Sequence, residues 1–119
     1  MRARLLATIL LVACSSAVAA PWNSAPKPLN GSYQIYGGEL GDMKPPAGQD
    51  RKLSLVVTGA LARELFDNIG PDLKLACSDA PGYRERQRGD LSCTRDTGGY
   101  RCTIGMNVAT GKSMGGSIC

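Results

Sequence analysis

The sequence predicts an α+β domain: a single helix packed on a small antiparallel sheet that ends in a three-stranded C-terminal meander, held by two disulfides. Three observations lead there. Ser32–Tyr36 and Leu53–Thr58 read as strands, and Ala60–Ile69, directly after the second, repeats apolar residues at helical spacing. The last third alternates apolar and polar residues between two turn sequences. Cys77, Cys93, Cys102 and Cys119 give that region an even set of cysteines.

The N-terminus comes first. Arg2 and Arg4 precede Leu5–Ala13, a run broken only by Thr8. About nine apolar residues fall far short of the roughly 20 that span a bilayer, so this is an export signal and not a membrane helix. Leu11-Val12-Ala13-Cys14 has the order of a bacterial lipoprotein cleavage site, with Cys14 the acylated residue. Ser15 stands where an Asp would resemble inner-membrane retention. Ala17-Val18-Ala19 is a rival site, with cleavage before Ala20. The expected organisation is a signal over 1–19 (1–13 for the lipoprotein), a Pro-rich tether over 20–31 and one domain over 32–119. Both cleavages lead out of the cytoplasm into the periplasm, with a lipid on Cys14 as the anchor to the outer membrane.

Pro21, Pro26 and Pro28 stiffen the tether. Ser-Tyr-Gln-Ile-Tyr over 32–36 alternates as a short strand. Gly37–Gly48 contains Pro45-Pro46 and reads as loop. Leu53, Leu55 and Val57 share one face of the next strand. Thr58 is a candidate N-cap, Leu61, Leu65, Phe66 and Ile69 form the helix's apolar stripe, and Gly70-Pro71 stops it. Asp72–Cys77 has no decisive pattern, and Ser78–Gly82 is a turn. Tyr100, Cys102, Ile104, Met106 and Val108 then alternate with Arg101, Thr103, Gly105 and Asn107, a half-buried strand with its cysteine toward the core.

The flanking turns set the disulfides. If Thr97-Gly98 centres the turn before this strand, Cys93 faces Cys102; if Thr110-Gly111 centres the turn after it, Cys102 faces Cys119. Cys93 and Cys119 would then stand about 10 Å apart across the middle strand, beyond the roughly 7 Å that a disulfide spans. The expected pairing is Cys77–Cys93 with Cys102–Cys119, and the second choice is Cys93–Cys102 with Cys77–Cys119. Two disulfides imply an oxidising compartment and stabilise so small a domain by about 2–4 kcal/mol each.

The chain has no His, which removes the commonest general base, any Ser-His-Asp arrangement and any His-ligated metal. No Cys-x-x-Cys marks a zinc site, and neither metal nor cofactor is expected. Gly111-Lys112-Ser113 looks like the end of a phosphate-binding loop, but Met106 stands where the first Gly belongs. The formal charge of +4 falls to +2 once Arg2 and Arg4 leave with the signal. With few aromatics, that argues against nucleic acid. Glu39 and Asp42 sit in a glycine-rich loop and Asp79 beside Cys77; no spacing marks a hydrolase pair, and they read as surface and turn carboxylates. Arg84, Arg86 and Arg88, interleaved with Glu85 and Gln87, would line one face of an extended segment. Guanidinium groups there can grip a carboxylate or phosphate, or charge an edge strand against pairing.

Tyr36-Gly37-Gly38, Gly82-Tyr83-Arg84, Gly89-Asp90-Leu91-Ser92-Cys93 and Thr110-Gly111-Lys112-Ser113 through Gly116-Ser117-Ile118-Cys119 together resemble small exported proteins of Gram-negative bacteria. The likeness covers roughly residues 33–119 and implies no activity or site residues. The plan of lipoprotein site, tether and small disulfide domain is also similar to that of periplasmic lysozyme inhibitors, whose inhibitory motif is absent.

The functional expectation is a non-enzymatic, lipid-anchored binding or interaction module of the bacterial envelope. Its contact face would be Arg84, Arg86 and Arg88, and its partner an envelope protein or an anionic envelope component. The alternatives are a periplasmic inhibitor or immunity protein against lysozyme or a secreted toxin, and a small cell-wall hydrolase using Glu39 and Asp42.

Overall fold

The computed structural model describes residues 13–119; the basic head and most of the apolar run, through Val12, lie outside the described residues. Residues 13–30 form no helix or strand. Eight elements follow: β1 (Gly31–Glu39), β2 (Asp42–Lys44), β3 (Lys52–Thr58), α1 (Gly59–Asn68), β4 (Arg84–Arg88), β5 (Leu91–Asp96), β6 (Gly99–Asn107) and β7 (Ser113–Met114). The seven strands make one antiparallel sheet in the order β2-β1-β3-β6-β5-β4, with β7 also on β6. The expected class holds: one helix against an antiparallel sheet, a closing meander and two disulfides.

β6 is the central strand. One edge pairs with β3 from Arg101 opposite Thr58 to Asn107 opposite Lys52. Its other edge is shared, with β5 on Gly99–Thr103 and β7 on Gly105 and Met106.

β3 runs directly into α1. Gly59 turns the chain at φ +68°, a conformation that residues with a Cβ rarely adopt. The helix then folds back over Val57, Cys102 and Cys93. Thr58 occupies the N-cap position, but its hydroxyl makes no capping bond. The helix buries Ala62, Phe66 and Ile69, with Leu65 beside them, which is the i, i+4, i+7 stripe of a helix on a sheet. Leu61, expected in that stripe, points outward at 41% exposure, and Ala62 takes its place. Phe66 meets Tyr100 edge to face at 5.4 Å.

Three expectations are corrected. The expected loop at Gly37–Gly48 is largely a hairpin: β1 continues to Glu39, and Gly37, Gly38 and Glu39 pair with Lys44, Met43 and Asp42. The hairpin turns at Leu40-Gly41, and Gly38, inside β1, adopts φ +70°. Asp50 accepts the Gly38 N–H at 2.9 Å, and the Lys52 ammonium donates to the Gly38 carbonyl and to Asp50. The bonds from the Gly38 N–H and from Lys52 hold the Asp50 carboxyl below its usual range.

The middle of β6 is covered on both faces and not half-buried: Thr103 and Gly105 are buried like Cys102, because the C-terminal segment crosses the face opposite α1, while Met106 stays exposed. Ser54 Oγ donates to the Gly116 carbonyl at 2.7 Å, and the Thr103 and Ser117 hydroxyls share a bond of 2.8 Å. Gly116 lies so close that a Cβ there would stand 2.5 Å from the Ile104 carbonyl carbon.

The disulfide pairing is the third correction. The first turn has the expected register: Cys93 faces Cys102, and the two are bonded. The second turn starts earlier, because Asn107 Oδ1 accepts the N–H groups of Ala109 and Thr110 at 3.0 and 3.3 Å. The turn closes between Asn107 and Lys112, so Gly105 faces Met114, and β7 ends there. The chain leaves the sheet edge and carries Cys119 to Cys77, not to Cys102. Cys77–Cys93 with Cys102–Cys119 is therefore replaced by Cys93–Cys102 with Cys77–Cys119.

Candidate functional site

The helix is too short to cover its face of the sheet. It lies over the row Val57, Cys102, Cys93. Two further apolar rows continue on that face toward the other end of the strands: Tyr33–Leu55–Ile104 and Ile35–Leu53–Met106. Tyr33 is 69% exposed, Ile35 42% and Met106 40%, and Val108 follows in the same alternation, also exposed. Full burial of such side chains is worth roughly 1.5–3 kcal/mol each, so the face retains binding energy that folding does not use.

This face runs to an open strand edge. β1 pairs β3 through Gly31–Tyr36, but β2 pairs only Gly37–Glu39. Among the described residues, no strand covers the outer edge of Gly31–Tyr36. That stretch, Gly-Ser-Tyr-Gln-Ile-Tyr, carries no charge and no proline, two of the protections that edges use. The tether enters at its start, where the Thr58 N–H donates to the Asn30 carbonyl at 2.9 Å. Lys27, Pro28 and Leu29 lie by Ala60, Leu61 and Glu64 of α1 around a cavity of about 240 Å³.

The opposite edge is β4, and it holds the arginine row. Arg84, Arg86 and Arg88 share one face as expected, but the face is turned to α1. Arg84 grips Asp72 with two bonds, Nε at 2.7 Å and Nη2 at 3.1 Å. Arg86 donates Nε to Asp72 at 2.7 Å and Nη1 to the Phe66 carbonyl at 2.8 Å. Arg88 donates to the Gly70 carbonyl at 3.0 Å. Arg84 and Arg86 also lie over the Phe66 ring, at 5.2 and 4.3 Å from its centre. Arg84, then Arg86, hold the Asp72 carboxyl down to about 2, and Asp72 in turn raises Arg84. The row clamps the end of the helix and the Gly70–Asp72 segment to the sheet.

Glu85 faces the other way. It is 7% exposed and accepts the Cys77 N–H at 2.8 Å and the Tyr83 hydroxyl at 3.1 Å. Burial, then Glu85, raises the Tyr83 phenol. Tyr83, Glu85, Thr94, Arg101 and Ser117 line a polar cleft of about 260 Å³ beside the Cys77–Cys119 disulfide. Sequence reasoning passed over Glu85, although period-two alternation with three arginines put it on the opposite face.

The other singled-out residues lie apart. Glu39 and Asp42 face each other across the exposed β1–β2 hairpin, with Asp42 3.9 Å from the Lys44 ammonium. Asp79 is exposed in the segment after Cys77. Gly111-Lys112-Ser113 ends the β6–β7 turn, and Ser113 Oγ donates to Asp90 at 2.7 Å. Cys14 is exposed and has a free thiol.

Fold and cross-links together define a disulfide-stapled α+β domain suited to an oxidising, exported environment. No described helix is long and apolar enough to cross a membrane. No protein family matches the chain, and no similar curated protein or solved structure is found.

Proposed function

We propose that this chain is a non-enzymatic binding module of the bacterial cell envelope, exported to the periplasm and held at the outer membrane by a lipid on Cys14. It captures an extended segment of an envelope protein along the free edge of β1. The observation that carries this reading is the contrast between the two sheet edges. β4 is charged and committed to Asp72 and α1, whereas the Gly31–Tyr36 stretch of β1 is uncharged, open and continuous with the exposed side chains of Tyr33, Ile35 and Met106.

A strand added there gains backbone hydrogen bonds from the edge and places every second side chain on the apolar rows. The apolar gain competes with an association cost of about 4–15 kcal/mol, so the free domain binds modestly. The tether compensates by raising local concentration; Ser15–Asn30 reaches at most roughly 55 Å when fully extended. The internal commitment of Arg84 and Arg86 favours a protein partner over an anionic envelope component.

The test is the double variant Tyr33→Lys/Ile35→Lys, which charges the edge and the face without touching the core. Affinity for the captured envelope protein should fall at least tenfold while unfolding stays close to wild type, and Arg88→Ala should bind normally. Binding unchanged in the double variant would refute the surface.

A further inference from the structure

We propose that Cys77, Cys119 and Glu85 become a zinc site when their exposed disulfide is reduced. The same side chains then lock the C-terminal segment beside β4 through either a sulfur–sulfur bond or a metal.

The two disulfides differ in access. Cys93 and Cys102 are fully buried beneath α1, whereas Cys77 and Cys119 are both exposed. A dithiol reductant can reach the second pair and not the first. The exposed pair also has an unusual neighbour. Glu85 Oε2 is satisfied by the Cys77 N–H and the Tyr83 hydroxyl. Oε1 lies 3.4 Å from Cys77 Sγ, and a disulfide sulfur has no hydrogen to donate. Oε1 is thus left without a protein donor, and no Arg or Lys pairs with Glu85 among the described residues. This free acceptor lies beside the two sulfurs.

Reduction completes the donor set. The dithiol is oxidised to its own disulfide and passes two electrons and two protons to Cys77 and Cys119, whose S–S bond breaks. Their sulfurs and a Glu85 oxygen already lie within 4.8 Å of one another. Zinc then displaces both thiol protons as two Zn–S bonds form, and Oε1 supplies the third ligand. Two thiolates with a carboxylate suit zinc, whereas calcium and magnesium take oxygen ligands. The Tyr83 hydroxyl and Cys77 N–H hold Oε2 and so orient the carboxylate, as outer partners do in built metal sites. A fourth position opens toward the cleft lined by Thr94, Arg101 and Ser117, with room for water or a small anion.

The test uses the full chain, mildly reduced with a phosphine and freed of it under anaerobic conditions. Thiol counting should show two new thiols on reduction; four would overturn the access argument on which the site rests. Titration with Zn²⁺ alone should show one ion per reduced chain and none per oxidised chain. Co²⁺ in its place should give a thiolate-to-metal charge-transfer band. Glu85→Gln keeps an acceptor for Cys77 and Tyr83 but loses the anionic ligand, and should weaken zinc binding at least tenfold. Cys119→Ser, at an exposed position, should weaken it as much and reduce the band. No binding by the reduced chain, no thiolate band, or unchanged affinity in both variants would overturn the site.

Discussion

Arg86 and Phe66 are joined twice: Nη1 donates to the Phe66 carbonyl at 2.8 Å, and the guanidinium carbon stands 4.3 Å from the centre of the Phe66 ring. α1 has no basic residue in its last turn, so β4 supplies the cation that helix-terminal carbonyls favour. Arg86→Ala should cost roughly 1.5–3 kcal/mol in denaturant unfolding, the range for hydrogen bonds to charged groups. Arg88, exposed and with its one bond to Gly70, should cost no more than about 0.5 kcal/mol when changed to Ala. Equal losses would mean that the row acts through charge alone.

Asp72 makes the clamp sensitive to acid. Its carboxyl titrates at about 2 in the folded chain, against an ordinary 3.8. A group depressed on folding adds stability above its unfolded value and loses that contribution as pH falls through the folded one. Stability should therefore drop between about pH 4 and pH 2. Asp72→Asn should lower stability at neutral pH and flatten that part of the acid limb. Salt should weaken the effect, because the pair is partly exposed. An acid limb identical in the variant would contradict the clamp.

Gly116 is fixed by contact with Ile104, not by backbone angle. Gly116→Ala forces a Cβ against the Ile104 backbone and should cost about 1–3 kcal/mol, as overpacking does. Gly115→Ala meets nothing within 4 Å and should be nearly silent. Denaturant midpoints of the two variants separate these outcomes, and similar midpoints would argue that the C-terminal segment is not seated on β6.

Peptide mapping of the unreduced protein should yield Cys77 linked to Cys119 and Cys93 linked to Cys102. Recovery of Cys102 linked to Cys119 would restore the expected second-turn register. Intact mass from the native host should show an acylated chain beginning at Cys14; a chain beginning at Ala20 would make the protein soluble.

The alternation in β6 was legible because each side chain answers to its own strand. What covers the second face was not, since Gly116 and Ser117 reach Ser54 and Thr103 only after the chain doubles back. Thr110-Gly111 resembled a turn centre, yet the Asn107 side chain starts the turn earlier, and the two-residue shift redirected Cys119. Leu61 has helical spacing to Leu65, yet the helix's rotation on the sheet puts Ala62 inside and Leu61 outside. The arginine row was visible in the sequence, but its partners were not. Phe66 and Asp72 are brought to it by the helix folding back over the sheet. The open edge of β1 depends on strand order, which no local pattern encodes.

The free edge of β1 is the proposed contact surface. A photo-activatable aromatic residue in place of Tyr33 and, separately, of Arg88 tests it in living cells. Position 33 should give a single, reproducible protein adduct and position 88 none. Adducts from position 88 with none from position 33 would contradict it.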